Sequence, residues 1–327
     1  MQNVSLYTNS PNMQIQTEKK SEPKKSILGV IAGTIGGSFV NSGMKAPIQS
    51  IPNYMQNIGK SLTNDEFKAI REGSLKALEK SNLANKGVEI LTINHSNIFD
   101  VSRKCTEEML KKIKIKSDMM PDIIENFMQT ACSQVAQGKN AFFNPKVNKI
   151  LVGENKELSA TVFHEMGHAM NTNFSKLGKI LQKTRGLNVV AVPIIAITSV
   201  LHRNKYDEYG EQSKLNKAGE FIKKHSGVLT ALSWAPTILE EGMASLKGGK
   251  LAKELLDKSL VKKINKTNAL GFASYVLCAA ASIAGIKVAT AISDKITEKK
   301  HQKKLQKLMA KNDAENTINI RINLQKT

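Results

Sequence analysis

Disulfide bonds cannot organise this chain, because its 327 residues include only three cysteines, Cys105, Cys132 and Cys278. They are odd in number, far apart and without CxxC spacing, which excludes a disulfide framework and a cysteine metal site and favours a reducing compartment. Aromatic residues make up 5% of the sequence, with a single tryptophan, and arginines are few. Base-stacking platforms for nucleic acid are therefore not indicated. An apolar stretch near the start is missing as well. Residues 1–26 are polar and read as disordered, without a conventional secretory signal. Acidic residues are scarce: 28 Asp and Glu against 48 Lys and Arg give a net charge of +20. The lysines are scattered along the whole chain, so a solvated basic surface is expected, able to meet anionic lipid but not built to read nucleic acid. Histidine is rare too, six in all, so a regular spacing between two of them carries information.

Such a spacing occurs in Thr161-Val-Phe-His164-Glu165-Met-Gly-His168-Ala-Met170, inside a run that reads as helix. Residues four apart lie on one helical face, so the imidazoles of His164 and His168 can reach a single metal ion. Glu165 stands one residue further round, beside the open coordination position. Two neutral nitrogens that hold a zinc ion, with a carboxylate placed to take a proton from water, are what metal-assisted hydrolysis requires.

The surrounding sequence predicts a mostly helical α+β domain. Thr63, Asn64, Asp65 and Glu66 form a helix start, followed by Phe67, Ile70, Leu75 and Leu78 as an apolar stripe. Residues 88–93 (VEILTI) read as a strand. Residues 106–116 alternate lysines with Met109, Leu110, Ile113 and Ile115, and residues 121–136 read as a helix. Residues 138–153 read as two short strands around an Asn-Pro turn, running straight into a helix from Lys156 that carries the histidines. An exposed strand edge beside the metal would hold an extended peptide through backbone pairing. His95, in Asn94-His95-Ser96, has no partner at ligand spacing and is expected to be structural or solvated.

Asn140-Ala141-Phe142, a strand ending near Val152, Glu157-Leu158 and then His164-Glu165-Met166-Gly167-His168 are similar in order and spacing to the membrane-associated zinc metallopeptidases that include HtpX and the CAAX prenyl proteases. The resemblance covers residues 138–171 and one later segment, Glu240-Glu241-Gly242-Met243-Ala244-Ser245. It implies a zincin-like catalytic domain that cleaves polypeptides. Its implied Zn2+ is held by His164, His168 and Glu241, with Glu165 as general base and Asn140, Ala141 and Phe142 along the substrate. The family has aspartate where this chain has Ser245, which removes a carboxylate expected to orient a ligand. His225 and Tyr206, with His202 and Tyr209, are candidates to stabilise an oxyanion, each competing with an ordinary loop role.

Apolar segments stand at 187–201, 227–239 and 269–286, and the resembling family places a membrane-embedded hairpin between its ligands. Only 269–286 approaches the length that spans hydrocarbon. The expected organisation is a polar N-terminus (1–26) and an apolar glycine-rich segment that could anchor the chain (27–43). A metallopeptidase domain (44–292) follows, then a basic helix and tail (293–327). The protein is expected at a membrane, with its site facing the cytoplasm. The competing reading, from another class, is an inactive membrane scaffold that keeps the fold and acts through its basic surface.

Overall fold

The computed structural model describes residues 22–113 and 120–324 as a mostly helical protein with one three-stranded sheet. Most of the N-terminal segment read as disordered, and Ile115, lie outside the described residues.

Helix α1 (Ile27–Lys60) is followed by α2 (Asn64–Lys80), which Thr63 starts by accepting from the Glu66 N–H while the Glu66 carboxylate accepts from the Thr63 N–H. Two orphan donors are thereby satisfied reciprocally. The buried face of α2 is Ile70, Gly73, Ser74 and Ala77, whereas Leu75 is exposed. The stripe expected through Leu75 is thus rotated, with Gly73 inward against the Leu256 side chain.

Strand β1 (Glu89–Ile93) leads into α3 (Ile98–Lys112) and α4 (Met120–Ala136), then β2 (Phe142–Asn144) and β3 (Lys149–Gly153). The strand order is β1-β3-β2, with β1 parallel and β2 antiparallel to the central β3. Successive residues of β3 serve opposite layers. Leu151 packs with Cys105, Met128 and Cys132 of α3 and α4, while Ile150 packs with Phe163, Met166 and Ile70 on the other face. All three cysteines are unpaired.

A single 3-10 turn, Ser159–Thr161, and not a helix from Lys156, carries the chain into α5 (Val162–Phe174). Then come α6 (Lys176–Thr184), α7 (Leu187–Leu201), α8 (Lys214–Lys224), α9 (Ser226–Leu255) and α10 (Lys258–Leu324). Helix α1 runs without a break past residue 43, and α10 past residue 292.

Helix α10 is long and apolar enough to cross a membrane, and α6 with α7, bent by 46°, would reach that length together. No Asp, Glu, Lys or Arg occurs in residues 27–44, 187–201, 226–239 or 267–286. These stretches lie side by side. Gly29, Gly33 and Gly37 of α1 face Ser293, Ala289 and Gly285 of α10, and the Ser293 hydroxyl donates to the Val200 carbonyl at the end of α7. Outward from this bundle point Ile27, Ile31 and Ile35 of α1, Val189, Val190, Ile194 and Ile197 of α7, and Val228 and Leu232 of α9, all exposed.

Candidate metal centre

Helix α5 lies between the sheet and α9. Phe163, Met166 and Ala169 turn into the core, which leaves His164, His168 and Asn171, spaced by four and three, on the face toward α9. The facing seam of α9 is Thr237, Glu240, Glu241, Ala244 and Gly248, all buried. Helices come this close only without side chains at the crossing: a Cβ on Gly167 would collide with the Ala244 carbonyl, and one on Gly248 with the Phe163 carbonyl. The glycine in His-Glu-Met-Gly-His therefore sets the distance between histidines and glutamates.

Three donor atoms converge at that crossing. His164 Nε2 lies 2.9 Å from His168 Nε2 and 3.1 Å from Glu241 Oε2, and His168 Nε2 lies 3.6 Å from Glu241 Oε2. Ligands about 2.1 Å from a tetrahedral ion stand about 3.4 Å apart, so the three atoms match one face of such a coordination sphere. Their chemistry fits as well. Glu240 Oε1 lies 2.8 Å from His168 Nδ1, and a carboxylate can only accept, so that nitrogen carries the hydrogen and Nε2 is left to point at the cluster. Ser245 Oγ lies 3.1 Å from His164 Nδ1. The hydroxyl thus stands against the outer nitrogen of its histidine, and the carboxylate expected around the ligands comes from Glu240 instead.

Lone pairs at such separations need a cation between them, either a metal ion or a proton. Burial opposes a charge on His168, yet hydrogen bonds to Glu240 and Glu241 push its pKa up to about 10. Burial likewise opposes the Glu241 charge, but the same histidines, with Arg185, hold its carboxyl well below the usual carboxylate range. Metal entry would displace protons here.

Glu165 is buried, and its Oε2 accepts the Phe143 N–H at 2.7 Å. Burial raises its pKa. Among the described residues β2 pairs with β3 alone, so the Phe143 bond places Glu165 at the unpaired edge of the sheet, where Phe143 and Asn144 are buried. Ala141 packs against the core and Phe142 opens β2, while Asn140 lies just before it.

The oxyanion candidates are elsewhere. His225 precedes the first turn of α9, fifteen residues from Glu240, which at 1.5 Å per residue is roughly 22 Å along the helix. It packs against Phe221. His202, Tyr206 and Tyr209 follow the far end of α7, where Asn204 hydrogen-bonds Glu22, and so cannot reach the histidines. His95 is an exposed turn residue.

Four residues at the centre carry no motif. Asn171 Nδ2 donates to Glu240 Oε1 at 3.2 Å, and Gln182, with its amide nitrogen turned inward, reaches both Glu240 oxygens at 3.0 and 3.2 Å. Arg185 pairs with both glutamates and lies 3.5 Å from the Tyr275 hydroxyl. Asn171 was legible as the next residue on the histidine face. The other three come from α6, the α6–α7 break and α10, which no local spacing connects.

No protein family, curated protein or solved structure matches the chain. The buried group of His164, Glu165, His168, Glu240 and Glu241 that could hold a metal ion thus stands on its own geometry.

Proposed function

We propose that the chain is a zinc-dependent peptide hydrolase of the zincin kind, working at a membrane. The observation that carries this reading is the convergence of His164 Nε2, His168 Nε2 and Glu241 Oε2, with Glu165 beside them at an open strand edge. Two imidazoles, one carboxylate and tetrahedral spacing suit zinc among the common divalent ions. When bound, zinc supplies Lewis acidity and makes water a stronger acid.

The chain's own groups supply the rest. Glu165 accepts the proton of the attacking water and passes it to the leaving amine, and the burial that raises its pKa suits both tasks. The Phe143 N–H fixes the carboxylate for that transfer. An extended polypeptide pairs with the free edge of β2 along Asn140, Ala141 and Phe142, which presents successive peptide bonds to Glu165. The uncharged, outward-facing bundle of α1, α7, α9 and α10 lies in lipid, and the lysines at its ends meet anionic headgroups.

Metal analysis of purified protein, run beside a peptide-cleavage assay, tests the reading. About one zinc per chain is expected, and Glu165→Gln should keep that zinc while peptide hydrolysis falls roughly a hundredfold or more. A chain that binds no zinc ends the proposal. Zinc without any Glu165-dependent hydrolysis moves the protein to the scaffold class.

A further inference from the structure

Arg185 lies in the break between α6 and α7, tied to α9 at both its ends. Its carbonyl accepts from Thr237 Oγ1, one turn before Glu240, and its guanidinium reaches forward to the two glutamates. One terminal nitrogen pairs with Glu241 Oε1, and the other lies 3.4 Å from Glu240 Oε2. Glu241 therefore uses its two oxygens differently: Oε2 faces the histidine nitrogens while Oε1 is held by Arg185.

From this division of oxygens we infer that Arg185 is a positioning residue that keeps Glu241 a one-oxygen ligand. The inference rests on the metal-centre reading above. Glu240 and Glu241 are consecutive, buried and alike in charge, so they repel and each needs a partner. A guanidinium is a rigid planar fork whose two terminal nitrogens hold two carboxylates at fixed angles, whereas an ammonium is a point charge on a flexible stem that fixes neither. With Oε1 engaged, the carboxylate cannot swing to offer both oxygens, and a fourth coordination position stays open for water. Arg185 thus protects the open position without touching it. An ion pair that merely fastened α6 to α9 would stabilise the fold and leave the coordination unchanged.

Cobalt(II), which takes zinc sites and reports coordination number through its visible absorption, separates these roles. The wild type, Arg185→Gln and Arg185→Lys are loaded with cobalt, and zinc affinity is measured by chelator competition. The wild type should show the intense absorption of four-coordinate cobalt. Arg185→Gln should show the weaker absorption of five-coordinate cobalt and bind zinc about 10–100-fold less tightly, the usual cost of losing a residue that orients a ligand. Arg185→Lys should recover only part of that affinity. Should the Gln variant fail to fold, the Lys variant decides: a wild-type spectrum with wild-type affinity overturns the inference. The same result in both variants, even with lowered melting temperatures, overturns it in favour of a structural ion pair. A wild type that takes up no cobalt overturns the metal-centre reading, and this inference with it.

Discussion

Helix α5 crosses α9 and α1 crosses α10 by the same device, and the two crossings end in opposite surroundings. At the first, Gly167 and Gly248 lie against the carbonyls of Ala244 and Phe163; at the second, Gly29, Gly33 and Gly37 lie against Ser293, Ala289 and Gly285. Each crossing works because a missing side chain lets backbones touch. Around the α5–α9 crossing stand His164, Glu165, His168, Glu240, Glu241 and Arg185. Around the α1–α10 crossing the neighbouring faces turn isoleucine, valine and leucine outward, and charge gathers only at its Gly29–Ser293 end, where Asp294 pairs with Lys25 and Lys223. Small residues create proximity in both places, and the residues flanking them decide whether it could hold an ion or packs an apolar bundle.

The largest effect should come from removing a ligand. His164→Ala or His168→Ala should abolish stoichiometric zinc, which metal analysis reads directly, whereas stoichiometric metal in both variants would show that the α5–α9 crossing holds none. Within the glutamate pair, Glu241→Gln should cost far more zinc affinity than Glu240→Gln. The latter removes the charge that faces His168 Nδ1 and Arg185 but no group of the converging three, for about 10–100-fold. The reverse order would exchange their roles.

The glycines sharpen the comparison next. Gly167→Ala and Gly33→Ala should each destabilise by about 1–3 kcal/mol or more through overpacking, seen as lower melting temperatures. Only Gly167→Ala should also weaken zinc binding. Equal metal affinity in the two variants would mean that the α5–α9 spacing does not set the site.

A smaller effect is expected from pH. The folded pKa of His168, about 10, stands above its ordinary 6.5, so its charge contributes stability fully present below about pH 6.5 and lost as pH rises toward 10. Chelator-treated protein should melt at lower temperature at pH 10 than at pH 6.5, and His168→Gln should flatten the difference. An unchanged slope in that variant would remove His168 as the cause.

The mildest signal should come from Trp234, the sole tryptophan, which sits partly buried on α9 among the outward apolar residues. Reconstituted into vesicles with brominated acyl chains, its fluorescence should be partly quenched. Full emission at every bromine depth would take this bundle out of the lipid.

What the sequence determined by itself was confined to single elements, and not all of that, since the helix expected from Lys156 is a 3-10 turn and Leu75 of α2 is exposed. Four-residue spacing placed His164 and His168 on one face, Thr63 and Glu66 started α2 where read, and the apolar run at 187–201 became α7 with those bounds. These follow from helical and capping geometry, which a few consecutive residues specify. Tertiary structure alone decided which distant groups meet. It turned Glu240 and Glu241 to either side of one seam, brought Arg185 and Tyr275 to them, set Ser245 against His164, left His225 about 20 Å along α9, and put Tyr206 beyond the far end of α7. Loop residues look alike in sequence wherever they end up. Their distance from the histidines depends on how α5, α9 and α10 cross, and that is set by glycines whose effect appears only when a second backbone lies against them.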